Sequence, residues 1–161
     1  MSANITEVAD AKDLNETARI ARISWTETYV PIIGREQTEY MIEKFQSYDV
    51  MREAIKQGQR YYLISFNGGY CGYFCLSYEE DKVFLSKIYI LKEYQRNGIA
   101  TSAFEFIKIL CDGRKIYLTV NRNNHPAIGF YKRMGFITAY DQKKDIGNGF
   151  VMDDHVMEYQ R

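Results

Sequence analysis

Gln95-Arg96-Asn97-Gly98-Ile99-Ala100 sits between two apolar runs of different period. Before it, Val83 to Leu91 reads as a buried strand. After it, Ile99, Ala103, Ile107 and Leu110 recur at helical spacing, which predicts a helix from about Asn97 to Cys111, ended by Asp112-Gly113. A helix leaves its first N–H groups without internal partners, and its aligned dipoles make that end positive. The turn that opens such a helix is therefore an anion site made of backbone. Gly98, lacking a Cβ, admits a phosphate close to the chain. Steric convenience explains a glycine at a strand-to-helix turn equally well, so the turn alone leaves both readings open. Neither G-x-x-x-x-G-K-[ST] nor G-x-G-x-x-G occurs.

A second block lies further on, from Val120-Asn121-Arg122-Asn123-Asn124-His125-Pro126-Ala127 to Phe130-Tyr131-Lys132-Arg133-Met134-Gly135-Phe136. Gln95-x-x-Gly98-x-Ala100 resembles the Q/R-x-x-G-x-G/A signature of the GNAT superfamily of N-acetyltransferases. The later block resembles that superfamily's asparagine, alanine three on, and F-Y-x-x-x-G-F. The likeness covers roughly residues 83–136. It implies an α/β fold with a mixed, mostly antiparallel sheet, a central splayed pair of parallel strands, and helices on both faces.

The resemblance also implies acetyl-CoA as co-substrate and assigns residues to it. The pyrophosphate falls to the turn and first helical amides, Gln95, Arg96, Asn97, Gly98, Ile99, Ala100 and Thr101, with the Arg96 and Lys92 side chains as phosphate partners. The pantetheine arm falls to the backbone of Ile88, Tyr89 and Ile90, one of whose N–H groups polarises the thioester carbonyl. Asn124 touches the coenzyme and also suits a helix cap. Tyr131 lies near the sulfur as the acid for the departing thiolate. A thiol with pKa about 8.5 leaves at neutral pH with little help, which tempers that last role.

Composition bounds the rest. The 161 residues are the size of one domain, 1–161, and 46% hydrophobic content suffices for a core. Lys+Arg and Asp+Glu are both 21, so the basic excess of a nucleic-acid binder is missing. No apolar run approaches the ~20 residues of a membrane span. Met1 to Glu7 lacks a leader pattern, which points to a cytoplasmic protein. Cys71, Cys75 and Cys111 form no C-x-x-C pair and lie far in sequence from His125 and His155, so no metal is expected. Cys71 and Cys75 are expected on one face of a strand as small buried residues. The 14 tyrosines suit either a wet cleft or ordinary strand packing.

In order, Ile5 to Val8 predicts a short strand and Asp13 to Glu16 a capping box. Leu14, Ala18, Ala21, Trp25 and Tyr29 predict a helix that Pro31 ends or interrupts, followed by an apolar loop, Val30 to Gly34. Helices are expected over 35–45 and 50–57. Strands 61–66, 70–78 and 83–91 then form a meander through Asn67-Gly68-Gly69 and Glu79-Glu80-Asp81. A strand 116–120, a short helix 126–133 and a final hairpin, 136–143 with 150–159, complete the chain. No internal repeat or low-complexity tract occurs.

The acceptor is read as a primary amine on a small molecule, attacked directly in a ternary complex by an enzyme that is a monomer or a homodimer. A looser likeness of the Trp25 to Tyr29 segment and of Gly149 to Asp154 to bacterial polyamine acetyltransferases extends that class to polyamines. The resemblance frames the acceptor pocket with Trp25 to Gly34 and the final hairpin, whose Asp141, Asp145, Asp153 and Asp154 suit a cation or simply keep strand edges soluble. Many relatives carry a glutamate on the strand before the turn as base. Here Phe84-Leu85-Ser86-Lys87-Ile88-Tyr89 has none, which leaves Glu79, Glu80, Asp81 or a water held by Ser86. Acetylation of a protein N-terminus or lysine, and a non-catalytic acyl-CoA-binding module, remain as alternatives.

Overall fold

The computed structural model describes residues 3–160, with the backbone alone of Lys87; Met1 and Ser2 of the leader reading lie outside the described residues. The elements run β1 (Asn4–Glu7), α1 (Ala11–Ile33), α2 (Arg35–Gln46), α3 (Tyr48–Lys56), β2 (Arg60–Phe66), β3 (Gly69–Tyr78), β4 (Lys82–Ile90), α4 (Ile99–Cys111), β5 (Lys115–Asn121), α5 (His125–Met134), β6 (Phe136–Gly147) and β7 (Phe150–Tyr159). All seven strands join one sheet in the order β1-β2-β3-β4-β5-β7-β6. Every neighbouring pair is antiparallel except β4 and β5. That exception is forced, because the chain between them is a helical crossover rather than a hairpin.

Strand alternation sends successive residues to opposite faces, and each face builds its own core. Ile116, Leu118 and Val120 of β5 pack with Ile99, Ala103, Phe104 and Ile107 of α4 and with Tyr131 of α5. On the other face, Tyr61, Leu63, Tyr73 and Tyr89 pack with Ile20, Ala21, Trp25 and Tyr29 of α1, Met41 and Ile42 of α2, and Met51 of α3. Helices therefore cover both faces, as the resemblance implies.

Three local expectations need correction. Asp10, not Asp13, caps α1: its carboxylate accepts from the Asp13 N–H at 2.8 Å, so the helix starts earlier. Pro31 does not stop α1, and Val30 to Ile33 is helix rather than loop. A proline forfeits one ladder bond, but only two residues remain to be held. Gly34, at φ 85°, then closes the turn by donating to the Val30 carbonyl at 3.0 Å.

The cysteines are the third. Cys71 packs toward α4 and Cys75 toward α1, on opposite faces. The register of β3 on β2 slips between Ile64 and Ser65, leaving Cys71 opposite no β2 residue. A bulge of this kind shifts the two-residue alternation by one. Gly72 makes it possible, since a Cβ there would lie 2.3 Å from the Tyr89 carbonyl oxygen.

Candidate active site

β4 and β5 are paired only at Lys82–Lys115, Val83–Ile116 and Phe84–Tyr117. Beyond that point β5 bonds to β7, and the two parallel strands part. β4 itself bulges: Tyr73 faces Tyr89 and Cys75 faces Ser86, so two β4 residues, Lys87 and Ile88, stand against one β3 residue. The bulge turns the Ile88 amide out of the β3 ladder. That N–H donates to the Tyr131 hydroxyl at 2.9 Å. Tyr131 comes from the middle of α5 and is 2% exposed. Burial pushes its phenol well above the ordinary tyrosine value, and the Ile88 N–H pulls it back in part. The hydroxyl stays protonated at neutral pH and, accepting from Ile88, has its own proton to give elsewhere.

The strand leads into a 3₁₀ turn, Lys92–Tyr94, and then to α4. Arg96 and Gly98 both take the left-handed conformation, at φ 68° and 72°. Gly98 is the N-cap of α4, and no atom lies within 4 Å of where its Cβ would be. Its backbone conformation, not crowding, selects glycine. The first helical bond joins the Ser102 N–H to the Gly98 carbonyl at 3.0 Å. The preceding amides, Ile99 to Thr101, have no acceptor within the helix. The left-handed residues lead directly into these unbonded amides, an arrangement that can receive an anion.

On the α1–α3 face the widening β4–β5 gap opens into a cleft of about 620 Å³. α1 contributes Trp25, Tyr29 and Ile33, β4 Phe84, Ser86 and Tyr89, and β5 Tyr117, Thr119 and Asn121. Met152, Asp154 and Val156 alternate into it from β7. The hairpin tip closes the far side by docking on α2. The Ile146 carbonyl accepts from the Tyr40 hydroxyl at 2.7 Å and the Lys44 ammonium at 2.6 Å, and Gln37 Nε2 donates to the Val151 carbonyl at 2.9 Å.

A family model described as the acetyltransferase (GNAT) family matches residues 17–136, three quarters of the chain. The chain belongs to the GNAT acetyltransferase family. Among solved structures, a PaiA N-acetyltransferase from Thermoplasma acidophilum in complex with coenzyme A is 25% identical, covers 100% of both chains and superposes with a TM-score of 0.80. The ribosomal-protein-S18-alanine N-acetyltransferase of Escherichia coli is 17% identical, over 98% of this chain and 92% of its own, at TM-score 0.71. A spermidine N-acetyltransferase chimera from Vibrio cholerae and hSSAT is 17% identical, over 99% and 95%, at 0.70. Comparison with curated protein sequences gives no match. The last two structures share the fold alone with this chain, and their named acceptors differ, so the fold does not choose between a protein and a polyamine.

This GNAT protein is an acetyl-CoA-dependent N-acetyltransferase, and its structure places the sequence-derived residues in two groups. Ile88, Tyr89 and Ile90 end the bulged strand, and Tyr131 meets Ile88 directly. Gln95 to Thr101 form the turn and the first residues of α4. Gln95 also has a structural task, its Nε2 donating to the Ile90 carbonyl at 3.1 Å. Asn124 caps α5, its side chain accepting from the Ala127 N–H at 3.4 Å. The exposed Arg96 and Lys92 side chains flank the turn.

The acidic candidates divide differently. Glu79 bonds the Tyr117 hydroxyl and lies 3.8 Å from Lys82. Asp141 meets Arg122 and His155, Asp153 meets Arg122, and Asp145 accepts from the Gly147 N–H. Asp154, 4% exposed, turns into the cleft.

Two features escaped the sequence. The Glu27 carboxylate of α1 accepts from the Lys92 N–H at 3.1 Å, anchoring the start of the phosphate turn across 65 residues. Trp25 Nε1 donates to the Tyr73 hydroxyl at 2.8 Å, and Tyr73 in turn to Gln46 at 2.9 Å. Only the helical spacing of Trp25 hinted at its inward face. Cys75 also borders the cleft, where burial pushes its thiol up to about 12. It is thus a thiol, not a thiolate, at neutral pH.

Proposed function

We propose that this enzyme, a single catalytic domain over 1–161, acetylates the primary amine of a small molecule by direct attack in a ternary complex. The observation that carries the reading is the Ile88 amide and the Tyr131 hydroxyl, 2.9 Å apart where β4 leaves β5. That gap opens on one face to the α4 N-terminus and on the other to the cleft. Acetyl-CoA supplies an activated acyl group. The amides of the Gln95–Thr101 turn hold its diphosphate, each charge-assisted bond contributing roughly 1.5–3 kcal/mol, with Arg96 and Lys92 adding charge and Asn124 a further polar contact. The β4 backbone from Ile88 to Ile90 pairs with the amides of the arm, as an added strand would.

The chemistry at the gap follows. The net change is an alkylammonium plus a thioester giving an amide, a thiol and one released proton. The amine nitrogen forms the new bond to the acyl carbon as the carbon–sulfur bond breaks. Making the amine neutral at pH 7 costs about 4.6 kcal/mol, and its proton passes to cleft water, with Ser86 at the β4 wall. Once the thioester is bound, its carbonyl oxygen replaces the Tyr131 oxygen as the acceptor of the Ile88 N–H, which then stabilises charge there. Tyr131 donates to the leaving sulfur. A buried thiol in place of a thiolate at Cys75 supports direct transfer over an acyl-cysteine route.

Docking of the hairpin on α2 walls the cleft, which favours a small acceptor over a protein tail. Thiol release from acetyl-CoA across polyamines, monoamines, amino acids, aminoglycosides and peptides tests the reading. Release with small amines supports it. Release only with peptides transfers the assignment to protein acetylation, and coenzyme binding without any release makes the chain a binding module.

A further inference from the structure

The cleft carries a donor that the transfer step does not use. Trp25 Nε1 donates to the Tyr73 hydroxyl at 2.8 Å, and that hydroxyl lies 2.9 Å from Gln46 Oε1. An indole nitrogen can only donate, and a phenol has one proton. The Tyr73 proton therefore goes to Gln46, and the carboxamide must present its oxygen there. This fixes the other end of the group, Nε2 with its two hydrogens. Gln46 is 8% exposed. Among the described residues none accepts from its Nε2, yet that atom is not sealed from solvent. It opens on the cleft that Gln46 lines. Gln59 borders the same cleft with its oxygen likewise engaged, accepting from Cys75 Sγ at 3.6 Å.

Two carboxamides thus offer N–H groups to whatever fills the cleft. Water serves such donors until a ligand displaces it, and a ligand that brings no acceptor loses those bonds. A carbonyl or carboxylate oxygen restores them. A methyl group does not, and a second ammonium, itself a donor only, sets hydrogens against hydrogens.

Register gives the spacing. Tyr73 pairs with Tyr89, the residue after Ile88. Gln46, held at the Tyr73 hydroxyl, is therefore between one and two strand spacings from the β4–β5 gap, roughly 7–10 Å. An extended chain covers that span in the length of about two to three residues. The matching oxygen is several bonds from the reacting nitrogen, not on the adjacent carbon.

Resting on the N-acetyltransferase reading, we infer that Gln46 determines specificity and that the acceptor is a primary amine carrying a remote carbonyl or carboxylate oxygen. The test is steady-state thiol release at saturating acetyl-CoA with amines of similar length that differ at the far end: δ-aminovaleramide, δ-aminovalerate, hexylamine and cadaverine. The oxygen-bearing pair should exceed the other pair in kcat/KM by about tenfold or more, chiefly through KM. Gln46→Glu keeps an acceptor for Tyr73 and replaces Nε2 by an oxygen. It should reverse the order, with cadaverine about tenfold above δ-aminovaleramide, at an unchanged Kd for coenzyme A. A merely structural Gln46 would change every amine alike.

Equal or better turnover of hexylamine or cadaverine by the wild type overturns the inference and leaves the transferase reading standing. A folded Gln46→Glu that keeps the wild-type order overturns the role of Gln46. Coenzyme binding with no amine turned over overturns the transferase reading and this inference together. If Gln46→Glu does not fold, Gln46→Met decides: it should bring δ-aminovaleramide down to the level of hexylamine, and a retained preference overturns the role.

Discussion

The two faces of the sheet solve recognition in different currencies. On the α4–α5 face, the proposed coenzyme site uses main-chain groups: the Ile88 amide, the end of β4 and the first amides of α4. On the α1–α3 face, the cleft uses side chains from both helical and strand segments far apart in sequence, Trp25 at one extreme and Val156 at the other. A backbone site asks only that a few positions permit a conformation, so it leaves short motifs at fixed spacing. A side-chain site asks for shape and charge summed over distant segments, and no short window records that sum.

The largest expected effect breaks both halves at once. Gly72→Ala puts a Cβ 2.3 Å from the Tyr89 carbonyl, forcing β3 from β4 where the bulge forms. A stability loss of about 3 kcal/mol is expected, read as a fall in thermal midpoint, and full retention of the midpoint would show that the bulge tolerates a side chain.

Tyr131→Phe separates chemistry from binding. It should slow kcat roughly 100-fold while the Kd for coenzyme A, measured by calorimetry, stays put; equal kcat in a folded variant refutes the acid role. Gly98→Val confines its effect to the α4 face. The open space around Gly98 spares packing, so only left-handed strain of about 1–2 kcal/mol falls on stability. Coenzyme affinity should drop roughly 30-fold or more by calorimetry as phosphate contacts are lost.

Alkaline pH probes the tyrosines of both faces. Burial raises the pKa of Tyr61, Tyr73, Tyr89 and Tyr131 in the folded protein above their unfolded values. Their contribution is fully present below about pH 10 and is lost as pH rises toward the folded values, because the unfolded chain then sheds protons that the native state retains. Guanidinium midpoints should hold to pH 9 and fall above pH 10, each such group adding about 1.4 kcal/mol per pH unit. A flat midpoint to pH 11 contradicts this. The smallest effect touches the acceptor side alone. Tyr40→Phe removes one bond to the Ile146 carbonyl, worth about 1 kcal/mol, and should raise the amine KM a few-fold with coenzyme affinity unchanged.

The same contrast explains what could be read from the chain. Gln95, Gly98, Asn124 and Tyr131 were legible because each meets a local demand: a tether to Ile90, a left-handed cap, a helix cap, a turn of α5 facing the sheet. The splay followed from resemblance, and its three paired positions appear only in the register. The faces of Cys71 and Cys75 were misread because a bulge shifts alternation without changing composition. Asp154 could not be told from Asp153 or Asp141 in the sequence, since only the fold shows that Asp154 lines the cleft while the other two meet Arg122. Glu27 reaches Lys92 across 65 residues, a distance at which no periodicity speaks.

The mooring of the final hairpin has an evolutionary corollary. Gln37, Tyr40 and Lys44 grasp Val151 and Ile146 by their carbonyl oxygens, groups that every amino acid carries. Mutations at Gln142, Lys144, Met152 or Asp154 can therefore reshape the pocket lining without loosening the latch. Descendants of such a chain are free to drift toward new amines while inheriting, unaltered, the apparatus that presents the acyl donor.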